Sequence, residues 1–310
     1  MLSLTVKTAT RSCLILGIFS VLAITGCATH TMPALTEKPT AANLPGKVVW
    51  HDLVTDTPEE SKQFYGELFG WEFVDASATS SLGSDIDYTL IRLNGRLIGG
   101  LVDQSQLDTE SDISQWISLI SVADIEAATA AVSAGGGKVL SGPVSVSPRG
   151  RMAVVLDPEG ALVSLVQTET GDPEDMLEID AGAFLWNEVW TEDIDSAAEF
   201  YVQVAGYQPV ERQALVYAGL DGRYQLLQSQ DRPRVGIMQM PVSDLDPTWV
   251  SYLRVRDAAS LDAIVARVEA LGGTVLLDPQ DRDLGGRVAL ISGPSGAGIA
   301  LQTWPLEKGQ

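Results

Sequence analysis

The chain repeats itself. Slid along itself by 136 residues, Trp50 falls on Trp186, Asp52 on Glu188, Phe64-Tyr65 on Phe200-Tyr201 and Gly70-Trp71 on Gly206-Tyr207. Further on, Trp116-Ile117-Ser118 meets Trp249-Val250-Ser251 at an offset of 133. The offset returns to 136 where Gly136-Gly137 meets Gly272-Gly273, and where Asp157-Pro158-Glu159-Gly160 meets Gly293-Pro294-Ser295-Gly296. Agreement in nearly one register across a whole half means a duplicated domain. It excludes any fold built around one unrepeated core.

Each half is itself double. Residues 47–54 are rich in β-formers, and Thr57 with Glu60 three positions on has the spacing of a capping box, with Pro58 where a first helical turn tolerates it. Phe64, Tyr65, Leu68 and Phe69 recur at helical spacing, and Gly70 is placed to end the helix. Extended runs follow at 71–74, 88–93 and 97–102, the last two joined by an Asn94-Gly95 hairpin turn. From Trp116 the order restarts: a strand, a helix over 124–134, glycines 135–137, then three strands ending at Gln167. Residues 183–240 and 248–304 repeat both units. The fold class is therefore α+β: four βαβββ modules in two domains, 47–168 and 182–304.

The first 26 residues read as a signal peptide. Lys7 and Arg11 precede an apolar run, Leu14 to Ile24, too short to span a bilayer. The run ends in Ile24-Thr25-Gly26-Cys27, which resembles the bacterial lipobox and implies lipidation at Cys27. Ala28 rather than Asp implies sorting to the outer membrane, facing the periplasm, in a Gram-negative host. Residues 27–46, with three Pro and no apolar periodicity, are expected to form a solvated tether that holds the folded part off the membrane, with His30 incidental in it. Cys13 leaves with the signal peptide, so no disulfide or Cys-ligated metal site can form within the mature chain. The full chain carries 20 Lys and Arg against 41 Asp and Glu, a net charge of −21, and maturation removes only the two basic residues. Such acidity argues against nucleic acid as a partner.

Trp50-His-Asp-Leu-Val-Thr-Asp and Phe64-Tyr-Gly-Glu-Leu-Phe-Gly-Trp71, with Ala134-Gly-Gly-Gly and Asp157-Pro-Glu-Gly, resemble the vicinal oxygen chelate superfamily of glyoxalases, extradiol dioxygenases and bleomycin-resistance proteins. The resemblance implies half-open barrels, each of two modules around a cleft. The superfamily's metalloenzymes hold a divalent ion there with His, Glu or Gln. Counted back from Phe64 and Phe200, the first-strand ligand falls on Trp50 and Trp186, which cannot ligate. A slip of one residue offers Val49 or His51, and Leu185 or Asn187. Later positions fall on residues 116–118 and 249–251, and the last-strand acid on Ser164 and Ala300. The expectation is that no metal and no other cofactor is held.

Aromatic residues stand in place of the metal set. Trp50, Trp116, Trp186 and Trp249 open equivalent strands, and Asp52 and Glu188 share a strand face with Trp50 and Trp186. Indole beside carboxylate can hold a flat or cationic organic molecule. The same residues could equally fill cores, and both readings stand. His51 should face away from Trp50, as a surface or interface histidine. Arg149 and Arg151 could bind an anion but read first as exposed edge-strand charges, Tyr65 and Tyr201 as packing residues, and Gly135–Gly137 as a helix end rather than a phosphate cradle. The functional expectation is a lipid-anchored protein that binds or sequesters a small organic molecule without metal. The alternative is a metal-dependent lyase, isomerase or dioxygenase with a non-standard ligand set; a third is an interaction role without ligand.

Overall fold

The computed structural model describes residues 30–79, 85–107, 112–211, 224–241, 245–282 and 285–303. The segment read as a signal peptide and Cys27 lie outside the described residues. A two-residue strand, β1 (His30–Thr31), comes first. The first module follows as β2 (Val48–Thr55), α1 (Pro58–Phe69), β3 (Glu72–Thr79), β4 (Asp85–Leu93) and β5 (Arg96–Asp103). The second is β6 (Gln115–Ser121), α2 (Ile125–Ala134), β7 (Lys138–Ser147), β8 (Gly150–Leu156) and β9 (Leu162–Thr168). The third is β10 (Phe184–Thr191), α3 (Ile194–Ala205), β11 (Gln208–Pro209), β12 (Tyr224–Ser229) and β13 (Arg232–Gln239). The fourth is β14 (Thr248–Val255), α4 (Ala258–Val268), β15 (Thr274–Asp281), β16 (Arg287–Ser292) and β17 (Gly298–Thr303).

Modules pair in chain order. β2 runs antiparallel to β6 with Trp50 opposite Leu119, and β10 runs antiparallel to β14 with Trp186 opposite Tyr252. The first sheet runs β1-β3-β4-β5-β2-β6-β9-β8-β7, closed into a barrel because β1 bonds both β3 and β7. The second runs β11-β12-β13-β10-β14-β17-β16-β15 and is open. The segment expected to be a free tether is thus built into the first domain. Leu35 is buried in it, and Leu44 N–H donates to Asp172 Oδ2 at 2.5 Å.

Helices and the facing strands β6 and β14 share the contact between domains. One core joins α2 and its strands to α3; the other joins α1 to the fourth module. The repeated Phe-Tyr pairs and glycines meet there. A Cβ on Gly273 would lie 2.5 Å from Phe64, and one on Gly135 2.9 Å from Phe200, so both glycines are close-approach positions for the other domain's phenylalanine. Tyr201 donates to Asp157 Oδ2 across the same contact at 2.9 Å.

Candidate functional site

Each domain sets one carboxylate among hydrogen-bond donors on the first strand of its leading module, half-buried Asp52 on β2 and Glu188 on β10. In the first, Asp52 Oδ1 accepts from the Trp50 indole at 2.8 Å and from the Tyr88 hydroxyl at 2.5 Å. Arg149 donates from Nη2 to Tyr88 Oη at 2.8 Å, and its Nη1 stands 3.6 Å from Asp52 Oδ2. The guanidinium lies 5.1 Å from the Trp50 ring centre and 5.2 Å from that of Tyr88, close enough for cation–π attraction. In the second domain, whose curled sheet stays open, Glu188 is fully buried. It accepts from Tyr224 at 2.8 Å, from Trp190 at 3.3 Å, and from Tyr252 and Arg282 in closer contacts. The Trp186 indole donates to Tyr224 Oη at 3.0 Å, and Arg282 lies over Tyr252.

Electrostatics follow from this burial. Removal from water pushes the Tyr88 phenol up, and the nearby Arg149 charge only partly opposes it. Tyr224 and Tyr252 rise for the same reason, reinforced by the Glu188 charge. Burial alone would lower Arg149, but Tyr88 and Asp52 outweigh it and hold the guanidinium above its ordinary value. The tyrosines are therefore proton donors and the arginines permanent cations, so the clusters can orient and neutralise.

The expected site residues divide. Trp50 with Asp52, and Trp186 with Glu188, come together inside the barrels. Trp116 and Trp249 point to the opposite face of the sheet. Their indoles donate to Tyr65 Oη at 3.0 Å and Tyr201 Oη at 2.8 Å, within the cores shared by the domains. The cause is register: Trp116 stands opposite Leu53 and Trp249 opposite Val189, and both partners belong to those cores. Arg149, expected to be exposed, is 2% exposed. The turn between β7 and β8 folds it inward, where the Asp52 charge and two aromatic faces receive it. Arg151 is the surface residue of the two, paired with Glu126.

His51 does face away from Trp50, into the seam between domains. Its Nε2 lies 2.8 Å from Asn187 Oδ1, and its ring stacks on Phe184 at 3.7 Å. Asn187 is the residue at the equivalent position of the other half, so the two copies of one sequence position pair with each other. Ser118 and Ser251, also equivalent, donate to the same oxygen at 3.3 and 3.0 Å. Desolvation lowers His51 to about 4, so the ring is neutral near pH 7, and Asn187 Oδ1 requires its proton on Nε2.

Tyr88, Tyr224, Tyr252, Trp190 and Arg282 escaped the sequence reading. A signal was present for two of them. Tyr88 and Tyr224 are separated by the same 136 residues, as are Gly100 and Gly236. A Cβ on Gly100 would lie 1.8 Å from Tyr88 Oη, and one on Gly236 1.9 Å from Tyr224 Oη. The glycines exist to let each phenol cross its neighbouring strand to the carboxylate.

Comparison with known proteins agrees with the architecture. Residues 47–165 match the model of the Glyoxalase/Bleomycin resistance protein/Dioxygenase superfamily. The chain is 32% identical over 248 residues to "Putative glyoxylase CFP32" of Mycobacterium tuberculosis, covering 80% of this chain and 91% of that protein. It is 30% identical over 271 residues to the anthracycline biosynthesis protein DnrV of Streptomyces peucetius, covering 83% and 93%. Among solved structures, the Mn(II)-bound glyoxalase from Novosphingobium aromaticivorans superposes with a TM-score of 0.55 at 15% identity, covering 84% of this chain and 83% of that one. The 2,3-dioxygenase LapB from Pseudomonas sp. KL28 gives 0.53 at 12% identity, covering 86% and 94%.

A divalent metal such as the Mn(II) of the Novosphingobium glyoxalase does not fit the residues present. Among the described residues, no three His, Cys, Asp or Glu side chains converge as a ligand set. Each cluster offers one carboxylate; donors occupy Asp52 Oδ1 and both oxygens of Glu188, and Asp52 Oδ2 faces the Arg149 guanidinium. A divalent ion wants several unoccupied oxygens or imidazoles. Here a guanidinium already supplies the positive charge beside the acid.

Proposed function

Because the chain belongs to the Glyoxalase/Bleomycin resistance protein/Dioxygenase superfamily, we propose that it binds a small organic molecule in its barrels without metal, at the surface of a membrane to which Cys27 anchors it. The observation that carries this reading is the repeated cluster of carboxylate, phenol, indole and guanidinium at the place where relatives need an open ligand set. In the second barrel, Trp186, Met238, Met240 and Leu290 are only partly buried around that cluster and offer an apolar wall to a flat molecule. The name of the Streptomyces relatives makes an anthracycline a reasonable member of the test panel.

The test is titration of the mature protein, with Trp fluorescence as readout, against planar aromatic and cationic compounds including an anthracycline. Binding that weakens roughly tenfold or more in Trp186→Ala, with cooperative unfolding retained, supports the reading. An unchanged titration rejects the second barrel as the site. Cys27→Ser should move the protein from the membrane fraction to the soluble one, and persistence in the membrane fraction counts against lipidation.

Enzymatic activity is the second reading, favoured by the glyoxylase name of the mycobacterial relatives. Metal analysis separates the two. Stoichiometric Zn, Ni, Mn or Fe whose removal by chelator lowers stability would overturn the metal-free proposal.

A further inference from the structure

The N-terminal segment enters the first barrel as a ligand would. Thr31 pairs with Thr79 on one side and Ser147 on the other, and Met32 N–H donates to Ser147 O at 2.9 Å. Beyond this clasp the Pro33 carbonyl accepts from Arg149 Nε at 2.8 Å. Leu35 is 6% exposed, buried against Val49, Trp50, Leu119 and Val166. One oxygen acceptor and one apolar group are thus delivered to the guanidinium and the indole. The fit is incomplete: Arg149 Nη1 is buried, and the Asp52 Oδ2 it faces lies 3.6 Å away, an ion-pair contact beyond hydrogen-bond reach. An unmet donor of a buried charge is costly, and it points to an acceptor that the strap does not supply.

The strap is fixed at one end and lightly held at the other. Thr40 N–H donates to Asp172 O at 3.1 Å, and Asp172 N–H donates to Ala42 O at 2.9 Å, alongside the Leu44 contact. Residues 30–37 reach forward from that anchor. Their hold consists of the two-residue strand, the Pro33 and Leu35 contacts, and an exposed Glu37–Arg92 ion pair of little worth. Tethering compensates for weak contacts, because a linked competitor acts at an effective concentration of about millimolar.

We propose that residues 30–37 are an intramolecular pseudo-ligand of the first barrel, and that the molecule displacing them joins an apolar body to a carboxylate or carbonyl oxygen. That oxygen takes the place of the Pro33 carbonyl and serves the unmet Nη1. The apolar body takes the niche of Leu35 against Trp50. The proposal rests on the barrels binding organic molecules, and it adds the ligand's chemistry and the device that restricts access.

2-Naphthoate, an apolar ring with a carboxylate, is the probe, titrated into the mature chain from residue 27. Leu35→Ala weakens the strap and should tighten binding roughly tenfold, since apparent affinity scales with the open fraction. Arg149→Gln added to Leu35→Ala should abolish the gain, and Trp186→Ala added to it should not. A second route does not depend on those variants. Thr31→Cys with Ser147→Cys, in a Cys27→Ser background, should exclude the probe from the first barrel when oxidised and readmit it on reduction. Bound naphthoate should also speed hydrogen exchange at the Met32 amide. Equal affinity in wild type and Leu35→Ala, or in locked and reduced protein, overturns the proposal. Either result, together with naphthoate binding that Trp186→Ala abolishes, leaves the wider binding reading intact. No binding in any form counts against both.

Discussion

A buried neutral histidine at a pseudo-twofold seam has a measurable signature. His51 titrates at about 4 in the folded protein and near 6.5 when exposed. Between those values the unfolded chain binds the proton first, so the stability that neutral His51 supports is lost as pH falls from about 6.5 towards 4. The loss approaches about 3 kcal/mol at full expression of the shift. His51→Gln keeps an N–H for Asn187 Oδ1 and cannot titrate. Denaturant unfolding across that range should therefore show a steeper decline in wild type than in the variant; parallel curves would place His51 in contact with water. The pairing itself was beyond the sequence. Alternation along β2 turned His51 away from Trp50, but nothing in a linear chain says that its partner is its own repeat. The buried position of Arg149 was equally hidden, because a charge beside a turn glycine looks exposed until the fold supplies a carboxylate beneath it.

Elements were far more legible, since their signals are local. Asn94 and Gly95 take φ of 51° and 76°, the turn their identity suggests, and Gly70 ends α1 in the left-handed region at 72°. The N-terminus of α1 departs from expectation. Thr57 occupies the cap position but makes no side-chain cap, so the expected box with Glu60 is not formed. Thr55 takes over: its Oγ1 accepts the Thr57 N–H at 3.1 Å and meets Ser61 Oγ at 3.0 Å. At α2, by contrast, Asp124 Oδ1 accepts from Ala127 N–H at 2.9 Å. Thr57→Ala should then cost only a few tenths of a kcal/mol, and Asp124→Ala about 1 kcal/mol, in chemical denaturation. A Thr57→Ala loss as large as that of Asp124→Ala would mean that the threonine does cap. The repeat also carried the Phe-Tyr and Gly-Gly motifs in plain view. Their meaning was hidden because each motif is completed by its counterpart in the other domain.

Two domains that lend each other their core residues should not melt separately. Phe64 packs on Gly273 and Phe200 on Gly135, and both shared cores draw on both halves of the chain. Calorimetry of the folded protein is expected to give one transition. Phe64→Ala, costing about 3–5 kcal/mol, should lower it as a whole rather than split it. Two resolved transitions would mean that the domains are energetically independent. The clasp made by β1 reaches beyond folding. Only Ala28 and Thr29 separate Cys27 from the strand that begins at His30, a leash of about 10 Å at full stretch. If Cys27 carries the lipid proposed above, that leash keeps the β1 strand within its own short reach of the membrane surface.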